Sequence, residues 1–290
     1  MIRACCIVAG MGLSLACAAQ DATTVEKRSF AFSDGIHPTF AVTFHGAGTR
    51  TIEDHWRGVL KRVSHKVGGK KEIIGMTALI PEISHDTMRV LVKGDQPRGS
   101  GSTTLHVAFL TTMGWLGPGS DSAMVRGARE FVRREALALR IRLADEAVLQ
   151  ADRTLSRMRG ELAMLEREQG RMEMQRSKAR QRDSTSVADQ ARLAQEIEVA
   201  RTHAEERRAA LREAHTEEGV KELKAREKHH DKLTSRHAAA QRAMEQARKR
   251  DAGLKDGLRR NAEAQAAKRQ EIERQRARTE ELREAREAIH

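Results

Sequence analysis

The chain has 290 residues, of which 39% are hydrophobic, 32% charged and only 3% aromatic, and its formal net charge is +12. These averages conceal two different halves, because all four prolines and seven of the eight aromatic residues precede residue 120. The later half is too charged to fold alone as a compact domain. The composition therefore argues against a single globular enzyme.

The positive charge of the later half is diluted by negative charge. Residues 121–290 contain 40 Lys and Arg against 32 Asp and Glu, with both signs interleaved. Such a pattern is typical of a solvated helical surface, whereas a nucleic-acid-binding arm is usually a block of one sign. A site for an anionic polymer is the less favoured interpretation, and we predict no specific nucleic-acid partner.

Residues 1–19 are predicted to be a secretory signal peptide. Arg3 precedes an apolar stretch that is shorter than the roughly 20 residues needed to span a bilayer. Small residues follow this stretch, and they predict cleavage just before Ala19 or Gln20. The cleavage region comprises Ala16, Ala18 and Ala19.

The three cysteines, Cys5, Cys6 and Cys17, all lie within this segment. Lipid anchoring through Cys17 is less favoured than cleavage, because Ser14 stands where a lipoprotein signal has a large aliphatic residue. The mature chain is thus predicted to lack disulfides, thiol nucleophiles and thiolate metal ligands. With no later apolar stretch that could span a bilayer, we expect a periplasmic or secreted protein.

Residues 25–118 are predicted to form an α+β head domain. Alternating apolar positions predict strands over 29–32, 40–44, 72–80, 87–93 and 103–111. Helical spacing predicts a helix over 51–67, with Thr51 as its N-cap and Gly68 and Gly69 as its stop signal. The ββαβββ order predicts an antiparallel sheet covered by helix, with Phe131 and Val132 packing as part of a second cover.

We predict no catalytic, cofactor-binding or metal-ligating residue in the head. Its six histidines lack the paired spacing of zinc ligands, and His45 and His106 meet only if their strands pair in the right register. The glycine turn at 46–48 lacks the third glycine and the lysine of a phosphate-binding loop. No nucleophile elbow or paired carboxylate is recognisable. The protein is therefore predicted not to be an enzyme.

Residues 121–290 are predicted to form a helical coiled coil. Ser120 or Asp121 is suited to cap the first helix, and a seven-residue apolar repeat then continues in one phase from 141 to 214. The seam residues of this repeat include Ile141, Val148, Leu155, Leu162, Leu165, Leu193, Ile197 and Leu211.

The seam is polar in its middle, where 183–186 are four consecutive helix-capping residues. We expect a break near 182–186 and a second helix that folds back antiparallel, although a continuous rod is the alternative. A register change follows near Gly219, and polar residues such as His230, His237 and Asp251 interrupt the new stripe. These histidines are interpreted as solvated coiled-coil positions in preference to a metal or pH sensor.

The order of head and coiled coil resembles a family of uncharacterised exported proteins of Bacteroidetes-type bacteria. The similarity is carried by residues 30–45, by the helix around Trp56, and by the run LHVAFLTTMGWLGPG at 105–119, which leads into MVRGAREFVRREALAL. The resemblance implies export and a small α/β head on a long coiled coil. It implies no activity and no functional residue.

The leading functional hypothesis is a non-enzymatic structural or interaction protein of the cell envelope. Its coiled coil would pair with itself or with an unidentified envelope protein, and the mixed seam leaves the oligomeric state open. A periplasmic holdase-like chaperone and a binder of anionic envelope polymers are the alternatives. The sequence does not identify a ligand of the head.

Overall fold

The computed structural model describes residues 23–289. The chain divides into two units. The head unit comprises the chain up to Arg153 together with the segment from Ala277 onward, and the hairpin unit comprises Thr154–Arg276. The expected cleavage residues Ala16, Ala18 and Ala19 lie outside the described residues.

The head unit contains one antiparallel sheet of seven strands in the order β1-β2-β6-β5-β4-β3, with β7 paired to β6. The strands are β1 (Glu26–Phe32), β2 (Gly35–His45), β3 (Ser64–Gly68), β4 (Ile73–Ile80), β5 (Ser84–Asp95), β6 (Ser102–Thr111) and β7 (Gly114–Trp115). The helices of the described residues are α1 (Thr49–Val63), α2 (Ser122–Glu213) and α3 (Glu217–Glu287). The predicted α+β head followed by long helices is confirmed.

The main core lies between one face of the sheet, α1 and the first turns of α2. Trp56 of α1, Phe109 of β6 and Phe131 of α2 meet edge to face, with ring centroids 6.2 and 6.3 Å apart. Phe131 and Val132 are both buried in this core, as predicted. Gly127 is required for this packing, because a Cβ there would stand 1.8 Å from the carbonyl oxygen of Glu82.

The opposite face of the sheet, which we call the rear face, is covered by the tip of the β1–β2 hairpin. Phe32 of this hairpin packs on Leu91 and Ala108, which are fully buried. Asp34 at the tip pairs with Arg89 of β5 at 3.4 Å. The tip therefore bends across the sheet and gives the head a second, smaller core.

The predicted helix over 51–67 is wrong at both ends. Helix α1 starts at Thr49 after the N-cap Gly48 and ends at Val63, and Ser64–Gly68 form the unpredicted strand β3. The β-branched Val63 and Val67 suit either a helix or a strand. Pairing of β3 with β4, however, forms hydrogen bonds to backbone groups of β4 that a longer helix would have left unpaired at the sheet edge. The two-residue strand β7 was also not predicted.

Helix α2 begins after a capping residue that the sequence had suggested. The side chain of Asp121 accepts hydrogen bonds from the backbone amides of Ala123 and Met124, at 2.8 and 3.0 Å. These are the amides that an N-cap carboxylate satisfies. Ser120 instead accepts a hydrogen bond from the amide of Gly117.

The predicted break near 182–186 is wrong, because α2 is helical without interruption from Ser122 to Glu213. The chain reverses at 214–216, and the hydroxyl of Thr216 caps α3 by accepting from the amide of Gly219 at 3.1 Å. Thr185 is accommodated inside α2 by donating to the carbonyl of Gln181 one turn earlier. A helical hairpin exists, but its turn lies near the predicted register change, and α2 packs against α3 instead of folding back on itself at 182–186.

Candidate functional site

The rear face of the head carries a cluster of stacked aromatic and imidazole rings, formed by Phe30, Phe32, His37, His106 and Trp115. His106 stacks on Phe30 with ring centroids 4.0 Å apart, and His37 stacks on Trp115 at 3.8 Å. The strand register causes this arrangement, because Phe30 lies opposite His37 on β2 and its ring reaches His106 on β6. The rings fill the space under the hairpin tip.

His106 is held neutral at physiological pH. Burial lowers the pKa of His106 to about 4, with Asp95 opposing the change and Arg28 adding to it. Its Nδ1 lies 3.3 Å from the hydroxyl oxygen of Thr39. An uncharged, stacked and hydrogen-bonded imidazole of this kind serves packing, because it would have to leave the stack to exchange protons with a substrate.

Polar residues at the hairpin tip tie it to the sheet. His37 Nε2 lies 3.0 Å from Asp34 Oδ1, and Ser33 donates to Glu72. The serine and the histidine thus have different carboxylate partners and do not form a nucleophile and base pair. This group of residues fastens the tip over the rear face.

The histidines of the head do not assemble a metal site in the described residues. His106 pairs with Ala41, whereas His45 pairs with Ser102, so the two histidines do not meet. Burial, followed by the charge of Arg142, lowers the pKa of His55. Within residues 23–289, no three His, Cys, Asp or Glu side chains are placed to share a metal ion.

The predicted seam residues lie on the inner faces of α2. Leu155 and Leu193 are buried, and the other six are half-buried. In the hairpin unit, Leu193 packs with Ala200 and with Leu233 of α3, and Ile197 and Ala240 flank this cluster. Ile141 and Val148 belong to the head unit, where α2 and the end of α3 are joined by the ion pairs Asp152–Arg283 and Asp145–Arg286, each at 2.9 Å.

Ion pairs fill the polar part of the seam, where the break had been expected. Arg176 and Arg180 of α2 both contact Asp251 of α3, at 3.0 and 3.2 Å, and Asp183 contacts Arg248 at 2.9 Å. Burial would raise the pKa of Asp251, but hydrogen bonds and charge from Arg176 and Arg180 outweigh it and lower that pKa. The heptad phase therefore continues across this segment with polar partners.

A second polar layer lies farther along the hairpin, toward residue 165. Asn261, which is 6% exposed, donates to the carbonyl of Leu165 at 3.2 Å and accepts from Gln265 at 2.7 Å. Gln265 also donates to Gln169 of α2 at 2.7 Å. Buried amides of this kind fix the register of paired helices, since a shift of one turn would leave them without partners.

A groove of about 440 Å³ opens beside the seam in the middle of the hairpin unit. Its floor contains Ala179 and Ala247, which are buried, and the exposed Ala243 also lines it. The side chains of Arg182 and Arg250, one from each helix, lie along its walls. Sequence reasoning missed the groove, because its two walls come from segments more than fifty residues apart, and these face each other only where the chain turns at 214–216.

The histidines of the coiled coil lie along the same hairpin without forming a cluster of three. His229 is exposed, and it lies with His203 beside a shallow depression. His230 and His237 occupy half-buried seam positions, and His230 lies 3.6 Å from Asp231. Within the described residues, His203 and His229 therefore line one depression, without a third side chain placed to share a metal ion with them.

Among the described residues, no helix is long and apolar enough to cross a membrane. No protein-family model and no curated protein sequence matches the chain significantly.

Proposed function

We propose that this protein is an exported, non-enzymatic interaction protein of the cell envelope whose helical hairpin is the surface that meets its partner. The observation that carries the proposal is the seam between α2 and α3 of one chain. Apolar side chains, ion pairs and the Asn261 amide layer occupy this seam from both helices. The partner-facing surface is then the charged outside of the hairpin, and the seam itself is not left for oligomerisation.

The outer surface of the hairpin unit supports this role. Val199 is 56% exposed and Val187 is 44% exposed, and charged residues surround both along α2. Surfaces of this composition bind through mixed polar and apolar contacts, without a deep cavity. Association in trans is thus expected through the faces of the hairpin that its own chain leaves open.

Photo-crosslinking in cells tests the assignment of the hairpin as the partner surface. A photoreactive residue at Val199 is expected to give crosslinked species of higher mass in the envelope fraction. The matched control is Ile36, the second residue of β2 in the head, which is 73% exposed. Crosslinks from Ile36 alone would assign the partner surface to the head, and crosslinks from neither position would contradict the proposed function.

Export rests on the residues of the predicted signal peptide and has its own test. Because signal peptidase requires small residues before the cut, the double variant Ala18→Leu and Ala19→Leu is expected to accumulate as uncleaved precursor. The variant Ala22→Leu, just after the predicted cut, serves as the control and should be processed normally. N-terminal sequencing and cell fractionation measure the outcome, and an unprocessed native chain in the cytoplasm would contradict export.

A further inference from the structure

The positive charge of the hairpin unit is concentrated in its middle. Residues 167–183 of α2 and 242–260 of α3, which we call the basic belt, contain 13 Lys and Arg against six Asp and Glu. The rest of the hairpin unit contains 17 Lys and Arg against 16 Asp and Glu. The belt segments lie against each other, as the pairs Arg176–Asp251 and Asp183–Arg248 demonstrate.

Some of the belt's carboxylates form ion pairs inside the hairpin. Asp183 and Asp251 lie at the seam, and each forms ion pairs with arginines of the opposite helix. All the cations of the belt except Arg176 are exposed. The belt therefore presents an excess of positive charge to solvent over about 25 Å of helix.

The cations of the belt are distributed unevenly around the hairpin. By heptad position, the groove side of the belt carries Arg171, Lys178, Arg182, Arg250 and Arg260, and its one acidic residue is Glu168. Within the described residues, Arg182 and Arg250 form no ion pair, although they stand on the two walls of the groove. Two unpaired guanidinium groups across a groove are suited to bind oxyanions through paired hydrogen bonds.

The neutral groups of the groove indicate which kind of polyanion it takes. Gln181, Thr185, Ser186 and Gln246 add amide and hydroxyl groups, which both donate and accept hydrogen bonds. The alanines of the floor let a ligand approach the two helix backbones closely, but they form no apolar patch that would insert into a lipid layer. No aromatic residue occurs after Phe131, so the groove has no ring on which a nucleic-acid base would stack.

We propose that the groove of the basic belt binds an acidic polysaccharide, with Arg182 and Arg250 contacting the oxyanions and the neutral side chains contacting sugar hydroxyls. This inference rests on the proposed function, since it names the partner of the same hairpin. The groove has room for individual sugar units, and the belt extends the contact to neighbouring charges along the polymer. The binding has no covalent step and needs no cofactor.

Titration of the purified full chain with polygalacturonate tests the proposal. The native chain is expected to bind this polymer and not uncharged dextran, with affinity that falls as salt rises. The double variant Arg182→Ala and Arg250→Ala is expected to weaken binding about ten- to a hundredfold, because two charge-assisted hydrogen-bonding groups are lost. Circular dichroism checks that this variant remains helical.

The matched control removes the same charge from the outer face of the same belt. Arg242 and Lys249 are exposed and lie away from the groove, so Arg242→Ala with Lys249→Ala is expected to weaken binding by less than about threefold. Equal losses in the two double variants, or no binding of polygalacturonate, would overturn the proposal. Tighter binding of duplex DNA or of phosphatidylglycerol vesicles than of polygalacturonate would also overturn it.

The two proposals fail separately. The binding titration uses purified protein, so a chain that is retained in the cytoplasm can still bind polygalacturonate through the groove. If the protein is exported and crosslinks from Val199 but does not bind the polymer, the proposed function stands and only the polysaccharide partner is contradicted.

Discussion

At the scale of single residues, the rear face of the head shows how strand register changes the chemistry of a side chain. The sequence identified His106 as one of six histidines, but its neighbours depend on pairing between β1, β2 and β6. That pairing stacks Phe30 on the imidazole and removes it from water, which lowers its pKa to about 4. A single sequence does not contain this register directly, so the neutral state of His106 was not predictable.

Burial of His106 predicts that the head loses stability in mild acid. The folded chain keeps this imidazole neutral down to about pH 4, whereas the unfolded chain protonates it below its ordinary pKa of 6.5. The unfolded chain binds more protons between these values, so the free energy of unfolding falls as the pH is lowered, by about 2 kcal/mol between pH 7 and 5. The fluorescence of Trp56 and Trp115, which both lie in the head, measures this in denaturant titrations.

The variant His106→Phe isolates the contribution of this histidine. It keeps the stacking on Phe30, and the hydroxyl of Thr39 still donates to the carbonyl of Arg28. We expect the part of the loss between pH 7 and 5 that comes from His106 to disappear in this variant, while His55, whose pKa burial also lowers, retains its part. The full loss should persist in His45→Gln, which changes an exposed histidine of β2. An unchanged pH dependence in His106→Phe would show that His106 does not titrate as described.

At the scale of secondary-structure elements, the seven-residue repeat was a better guide than local helix signals. The seam residues predicted from the sequence lie on the inner face of α2, and the heptad phase continues without a change through 183–186. The four capping residues suggested a break, because their polar neighbours at the seam had no visible partners. Those partners, Arg248 and Asp251, lie on α3 and come into contact only after the chain turns at 214–216.

Continuity of α2 predicts a large effect of proline at its polar middle. Ser184→Pro is expected to lower helicity and thermal stability, since proline inside a helix costs about 3 kcal/mol. Proline is favoured at the first helical position, so Glu217→Pro at the start of α3 should be tolerated. Circular dichroism at 222 nm during heating measures both, and equal tolerance at the two positions would place a break at 184.

The pairing of α2 with α3 predicts a rescue by exchanged charges. Arg248→Asp places a carboxylate beside Asp183 and is expected to lower the melting temperature by roughly 2–4 °C, as loss of about 1 kcal/mol does in a protein of this size. Adding Asp183→Arg restores an ion pair of reversed polarity and should recover most of the loss. Additive losses in the double variant would mean that the two residues are not neighbours.

At the scale of the whole molecule, the order of the parts was predictable and the location of the reversal was not. Composition separated the head from the helical segment, and alternation and heptads identified most strands and the helical character of 121–290, but not its division into α2 and α3. Strand β3 was missed because it continues the apolar pattern of α1 without a separating turn. The groove was missed because Arg182 and Arg250 become neighbours only through the position of the turn.

The central claim is that α2 and α3 form an antiparallel hairpin within one chain, and the distance between two spin labels tests it most directly. Labels are placed at Ser184→Cys and Lys249→Cys, which follow the paired residues Asp183 and Arg248, in a chain whose three native cysteines are serine. An antiparallel pair of neighbouring helices predicts a label distance below about 30 Å that persists when labelled protein is diluted with unlabelled protein. A continuous helix would separate the labels by about 98 Å, and that distance, or a short distance lost on dilution, would contradict the account.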